Sequence, residues 1–397
     1  MQACGQNPGD PASGADATPV ASNRLPEVSV SATVEFLSGD AAIVASAAAS
    51  DADGDTIKLS LSGTDAQQFT ISSNGDIRFS QAPRFIKPVD ADSDNQYELL
   101  VVASDAAGST NAALTVTVVD AVLGLAAPPT LKLATIVFDQ NFGLKSAVPG
   151  VAEKSDGPES AEAVEADIEG YFRVRRQATT KNKSQVLYSQ GGFSTGADNA
   201  AQFALFSRLP ADPVIEQIRL TPISLLLFTL KQDQRTRLLK ALGLRSKPVV
   251  STPGEFWEEY EPDTAGSASI ERTNLKVNLV LATGAAVLSP NESVLSAEES
   301  LELANNVALQ LLKDGPRGLT EPAALEAMLV SVAQTSSVTR RYTPEKLRRV
   351  GGVLSKLNKL LSDTRVDPAG RDAQEISGAA SNQLVAATAE LIEDTVN

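Results

Sequence analysis

Across residues 26–122 short runs alternate apolar and polar residues between clusters of turn residues, a period that suits extended strands with one face buried. "DTIKLSLSG" puts Ile57, Leu59 and Leu61 on one face, and "QFTISSNGDIRFS" reads as two strands around an Asn-Gly turn at Asn74 and Gly75. "YELLVVASD" and "AALTVTVVD" repeat the pattern. Several short strands at this spacing, punctuated by turn residues, predict a β-sandwich over residues 26–122.

Composition narrows the chemistry. The 397-residue chain has no histidine and one cysteine, Cys4. Ser-His-Asp and Cys-His catalysis, His or Cys zinc sites and internal disulfides are therefore excluded. Carboxylate, lysine or tyrosine chemistry remains, but no spacing singles out such a pair, so the expectation is a protein without catalytic activity. A formal net charge of −15 opposes binding to nucleic acid and favours cations as ligands. The most apolar stretch, "TPISLLLFTL" from Thr221, is about half the roughly 20 residues of a membrane span and reads as a buried helix.

The acidic turns of the first region are where a cation would bind. "DADGD" places Asp51, Asp53 and Asp55 at alternate positions, and "VDADSDN" does the same with Asp90, Asp92 and Asp94, followed by Asn95. Neither is an EF-hand, because the twelfth position from Asp51 or Asp90 is Ser62 or Val101 instead of the closing glutamate. From the residues alone two readings stay open: calcium ligands, or aspartates that cap turns through bonds to nearby backbone amides.

In order, "ASDADGD", "LSGTDAQQFTI", "NGDIRFSQAP", "DADSDNQYELLVVASDAAG" and "LTVTVVD" resemble a bacterial cadherin repeat over residues 26–120, with Asn23, Pro26 and Glu35 fitting its start. In that family calcium lies at the junction between consecutive repeats, held by acids from both. Carried onto this chain, the resemblance implies Glu35 and Asp120 at one pole and Asp51, Asp53 and Asp105 at the other. Two departures stand out: "PRFI" from Pro83 puts Arg84 and Ile86 where the family usually has acids, and "VVDAVLG" lacks the usual asparagine. The resemblance thus implies a lost site at the first pole and half a site at the second.

The start "MQACGQNPGD" is similar to the end of a bacterial lipoprotein signal peptide, with Ala3, Cys4 and Gly5 at the lipidation motif. That reading needs Met1 to lie inside a longer precursor; a chance free cysteine is the alternative. The Gly-, Pro-, Ser- and Asp-rich residues that follow read as a tether over residues 1–25.

After "GLAAPPT", taken as a Pro-marked linker from Gly124, "KLATIVFDQNFG", "EGYFRVRRQ" and "SQVLYSQGGFSTG" read as strands of a second β module over residues 131–208, interrupted by an acidic loop from Ala152 to Ala166. The order "ATIVFDQNFG", "GYFRV", "GGFSTG" and "RLTPISLLL" is similar to the prealbumin-like β segment and helical region that follow cadherin repeats in bacterial surface proteins. Residues 209–397 read as helical. Ser296 and Glu299 form a capping box, Gly315 stops that helix, and Thr343-Pro344 starts another that carries Leu347, Val350, Leu354, Leu357 and Leu361. "SNQLVAATAELIEDTV" adds Leu384, Ala387 and Leu391 on one stripe. Arg340 to Lys359 forms a basic run, read either as a lipid-facing surface or as a solvated face paired with acids elsewhere. Phe256, Trp257 and Tyr260 form an aromatic cluster, either a core contact or a platform for a sugar.

The resulting expectation is a multidomain β-then-α chain: tether, cadherin-like Greek-key β-sandwich, small second β-sandwich module and C-terminal helical bundle. Its expected role is a non-catalytic adhesion or interaction module of the bacterial cell envelope, anchored in a membrane by lipid on Cys4. Calcium is the possible cofactor, other cell-surface proteins or polysaccharide are the partners, and nucleic acid is not one. A calcium-free scaffold and a carbohydrate-binding or carboxylate-dependent carbohydrate-active protein are the alternatives.

Overall fold

The period-two segments become paired strands in the computed structural model, which describes residues 23–126, 131–132, 134–139, 162–176, 185–194, 201–209, 217–244, 265–289, 294–335 and 342–363. Two units emerge. The first takes the chain up to Phe36 and Asp40–Val118; the second takes Leu37–Gly39 and the chain from Val119 onward.

The first unit is built from β1 (Glu27–Ser29), β2 (Thr33–Leu37), β3 (Ala45–Ser46), β4 (Ala48–Ser50), β5 (Lys58–Ser62), β6 (Phe69–Ile71), β7 (Asp76–Phe79), β8 (Gln96–Ser104) and β9 (Ser109–Val119). They pair as a four-stranded sheet β2-β9-β8-β5, a three-stranded sheet β3-β7-β6 and a β1-β4 ribbon. Alternation along β8 buries Tyr97, Leu99, Val101 and Ala103. Tyr97, Leu99 and Val101, with Leu114, Val116 and Val118 of β9, meet Phe69 and Ile77 from the other sheet in one apolar layer. At its centre Tyr97 is fully buried, its ring edge-on to Phe79 at 5.1 Å and to Phe69 at 5.7 Å. The Asn74-Gly75 turn joins β6 and β7. Gly75 has φ +87°, and a Cβ there would collide with the carbonyl oxygen of Ala47, whose own N–H donates to the Gly75 carbonyl at 2.9 Å.

The second unit opens with β10 (Ala121–Ala126), β11 (Leu131–Lys132), β12 (Thr135–Asp139), β13 (Glu162–Glu165), β14 (Tyr171–Arg175), β15 (Gln185–Gln190), β16 (Phe193–Ser194), β17 (Phe206–Leu209) and β18 (Gln217–Leu220). A sheet β14-β10-β18 mixes an antiparallel and a parallel pairing, and β13-β12-β15-β17 is antiparallel throughout. Two sequence expectations change here. Gly124–Ala126, read as linker, runs in β10, where glycine leaves room for the Phe172 ring of β14. Glu162–Glu165, read as loop, is β13, held by pairing with β12 despite its low hydrophobicity.

The helices are α1 (Pro222–Phe228), α2 (Gln232–Ala241), α3 (Ala265–Leu288), α4 (Ala297–Asp314), α5 (Pro322–Thr335) and α6 (Pro344–Leu360). The Ser296–Glu299 capping box forms: the Ser296 hydroxyl accepts from the Glu299 amide at 3.2 Å and the Glu299 carboxylate accepts from the Ser296 amide at 2.8 Å. Gly315 ends α4 at φ +66°, and Thr343 caps α6 with Pro344 at its first position.

All seven residues of α1 are buried, so the helix needs cover on every side. Strands supply part of it and helices the rest. Val122, Ile136, Phe172, Leu187 and Phe206 from the strands join Leu226, Leu275, Leu301 and Leu347 from the helices in one continuous apolar core. The expected β module and helical bundle thus share a single interior among the described residues. Burying a whole helix removes its orphan end groups from water, and nearby side chains answer several of them. Thr221 Oγ1 accepts from the Ser224 amide at 2.9 Å, Ser224 Oγ accepts from the Thr221 amide at 2.8 Å, and Asn274 Oδ1 of α3 accepts from the Ile223 amide at 3.0 Å. At the other end Arg235 Nε donates to the carbonyls of Leu227 at 2.9 Å and Leu230 at 3.1 Å.

The basic run is partly paired, with Arg348 of α6 3.2 Å from Glu326 of α5, while Arg349, Lys356 and Lys359 are exposed. No helix of the described residues is long and apolar enough to cross a membrane. Cys4, the aromatic cluster Phe256, Trp257 and Tyr260, Arg340, Arg341 and the Leu384, Ala387 and Leu391 stripe lie outside the described residues.

Two substitutions test this account by chemical denaturation. Gly75→Ala places a Cβ at a positive φ and against a carbonyl, with an expected loss of at least about 1–2 kcal/mol. Asn274→Ala strands the buried Ile223 amide and is expected to cost about 1–3 kcal/mol.

Candidate cation sites

One cluster forms where the loop after β4 meets the β8–β9 turn. Asp51 Oδ1 accepts from the amides of Asp53 at 2.8 Å and Asp55 at 3.0 Å, so the acidic loop wraps around its own first carboxylate. Asp105 Oδ1 does the same in the next loop, accepting from Ala107 at 2.8 Å and Gly108 at 2.9 Å. Each carboxylate is thereby fixed by one oxygen. The other oxygens, Asp51 Oδ2 and Asp105 Oδ2, are shielded from solvent and have no hydrogen-bond partner.

Asp55 completes the group: one ligand oxygen from each of Asp51, Asp55 and Asp105 lies within 4.8 Å of the others. Two oxygens on one calcium ion at about 2.3–2.6 Å are at most about 5 Å apart, so this spacing suits a shared ion. Two orphaned oxygens from separate loops, with a third acid beside them, therefore fit calcium, with water needed to fill the shell.

Asp53, the ligand carried over from the resemblance, is committed elsewhere. Its Oδ2 accepts from the Arg24 amide at 2.6 Å, and its Oδ1 accepts from Arg24 Nη2 at 3.1 Å. These amide and guanidinium contacts hold its carboxyl below the ordinary aspartate value. Asp55 takes the cluster position instead, since the Asp51-centred turn draws in the residue four positions on.

Asp120, implied as a ligand by the resemblance, pairs with the guanidinium of the buried Arg176, Nη1 to Oδ2 at 3.3 Å. Glu35 is exposed on β2 and belongs to neither acidic cluster. Arg176 carried no signal in the sequence, because only folding brings it to Asp120.

The second acidic group is Asp90, Asp92 and Asp94, again with ligand oxygens within 4.8 Å of one another. Asp92 and Asp94 are exposed, but Asp90 is 7% exposed and neither of its carboxylate oxygens has a hydrogen-bond partner. Burial pushes its carboxyl above the ordinary value; the Asn95 amide, nearby but short of hydrogen-bond geometry, opposes this, and the charges of Asp94 and Asp92 reinforce it. Buried Asp65 sits on the same side of the unit and is fully used: Oδ1 accepts from the Ala91 amide and Oδ2 from the Glu98 amide, both at 2.8 Å.

No family model and no curated protein matches the sequence. Similar solved structures include Drosophila N-cadherin EC1-3 (23% identity over 24% of this chain and 34% of that chain, TM-score 0.19). Human protocadherin-24 EC1-2 is another (15% identity, 45% and 93%, TM-score 0.20), as is Drosophila N-cadherin EC1-4 (17%, 43% and 46%, TM-score 0.22). The chain spans about a third of the length of the EC1-3 fragment.

Arg24 competes with any ion at the first cluster, both by its charge and by engaging Asp53. Arg24→Ala is expected to tighten calcium binding there roughly threefold to tenfold at low ionic strength, with the gain shrinking as salt rises. Calorimetric titration of both proteins at two salt concentrations checks this.

Proposed function

We propose that the chain is a non-catalytic interaction module of the bacterial cell surface whose cadherin-like unit is stiffened by weakly held calcium. The observation that carries this reading is the pair of orphaned, shielded oxygens, Asp51 Oδ2 and Asp105 Oδ2, presented by two separate loops with Asp55 beside them. Carboxylates brought together without a counter-charge repel one another, and a hard cation relieves that repulsion while tying the loops together. With three protein carboxylates and the remaining positions left to water, affinity belongs to the range of extracellular modules, about 10⁻⁴–10⁻³ M. An ion that binds only the folded unit stabilises it by RT ln(1 + [Ca]/Kd). The bacterial envelope setting rests on the repeat pattern and on the Ala3-Cys4-Gly5 motif, and the partner class, a surface protein or polysaccharide, follows from it.

A second reading, a scaffold whose repeat works without calcium, draws support from the two arginines. Arg24 engages Asp53 and Arg176 engages Asp120, so fixed guanidinium groups already neutralise two of the acids implied as ligands.

The two readings separate in a thermal melt of the full chain in millimolar calcium, in excess chelator and in magnesium. The calcium-linked module predicts a calcium-specific rise in the melting temperature of the first unit, reduced in Asp51→Asn and in Asp105→Asn. A melt unchanged by calcium would leave the scaffold reading standing.

A further inference from the structure

Between β7 and β8 the chain runs from Ser80 to Asn95 with no helix or strand, and its inner side is tied down at a few points. The Val89 amide donates to the buried Tyr97 hydroxyl at 3.3 Å, the Ala91 amide donates to Asp65, and Asn95 Nδ2 donates to the Phe85 carbonyl at 3.1 Å. Asp90 sits between the first two anchors, which carry it into the interior. There both carboxylate oxygens are shielded from solvent and make no hydrogen bond. The side-chain oxygen of Asn95, with its amide nitrogen already anchored, is also shielded and unpartnered.

An isolated buried carboxylate costs several kcal/mol unless a charge or hydrogen bonds compensate it. Asp65 cannot compensate, being itself an acid whose oxygens serve backbone amides. Among the described residues no basic side chain is paired with Asp90. What the turn does offer is two more carboxylates, Asp92 and Asp94, with oxygens within 4.8 Å of the Asp90 ligand oxygen. Asp94 is aligned by the Gln96 amide, which donates to its Oδ1 at 2.7 Å, and by Gln96 Nε2, which donates to its Oδ2 at 2.9 Å.

We propose that the 90–95 turn is a second cation site, holding one calcium ion through Asp90, Asp92 and Asp94 with the Asn95 side-chain oxygen as a further ligand. The ligand set is all oxygen, as a hard cation requires, and alternate residues of one turn supply the carboxylates. The exposed side of Asp92 and Asp94 leaves the rest of the shell to water. Unlike the Asp51, Asp55 and Asp105 cluster, this site lies within one loop. Its effect is local: the ion neutralises the buried Asp90 and fastens the long β7–β8 loop against the sandwich.

Calcium titration of the full chain by calorimetry, in chelator-stripped buffer, tests the assignment. The double variant Asp51→Asn, Asp105→Asn should retain one calcium site, and Asp90→Asn in the wild-type background should remove that site while leaving the other. Because Asp92 is exposed, Asp92→Asn should weaken the same site with no loss of stability in chelator. Asp90→Asn should melt at or above the wild type in chelator, where it removes an unpaired buried charge, yet gain less from calcium. Calcium binding unaltered by Asp92→Asn, or absent from the double variant, overturns the proposal; the latter result leaves the first cluster's role intact.

Discussion

An oxygen or nitrogen taken out of water must find a partner, and this requirement organises both units of the protein. Around the buried helix α1 of the second unit it is met by protein side chains. The wholly buried α1 has its first amides answered by Thr221, Ser224 and Asn274 and its Leu227 carbonyl by Arg235, so a helix with no solvent face is tolerated. That helix in turn obliges strands and helices to close over it as one interior. In the first unit the requirement is met for Asp65 but left open at Asp51, Asp105 and Asp90.

The open oxygens differ in kind from the satisfied ones. Asp65 joins two backbone segments through neutral amides, which needs no further ion. Asp51 and Asp105 each spend one oxygen on their own turn and leave the other shielded and unpartnered, with acids close by. Arginine partners two other acids. Arg24 sits on Asp53 and Arg176 on Asp120, so a fixed cation answers each of those two acids.

Much of the framework was legible in the order of residues. The strand alternation, the Asn74-Gly75 turn, the buried "TPISLLLFTL" helix, the Ser296 capping box and the Gly315 stop are local features whose period or chemistry determines the structure within a few residues. The single interior of the second unit was not legible, because a strand and a helix that share a core need not announce it in either pattern. Likewise β13 forms through its partner β12 and not through its own propensity.

The same division runs through the candidate sites. The sequence by itself determined which acids exist, that they cluster in turns, and that no histidine could compete as a ligand. It could not show that Asp55 rather than Asp53 joins Asp51 and Asp105, since that choice depends on Arg24 lying across the loop. Nor could it rank Asp90 above its exposed neighbours Asp92 and Asp94. Burial and charge pairing are properties of what surrounds a side chain, and those surroundings come from residues distant in the chain, so only the tertiary structure decided them.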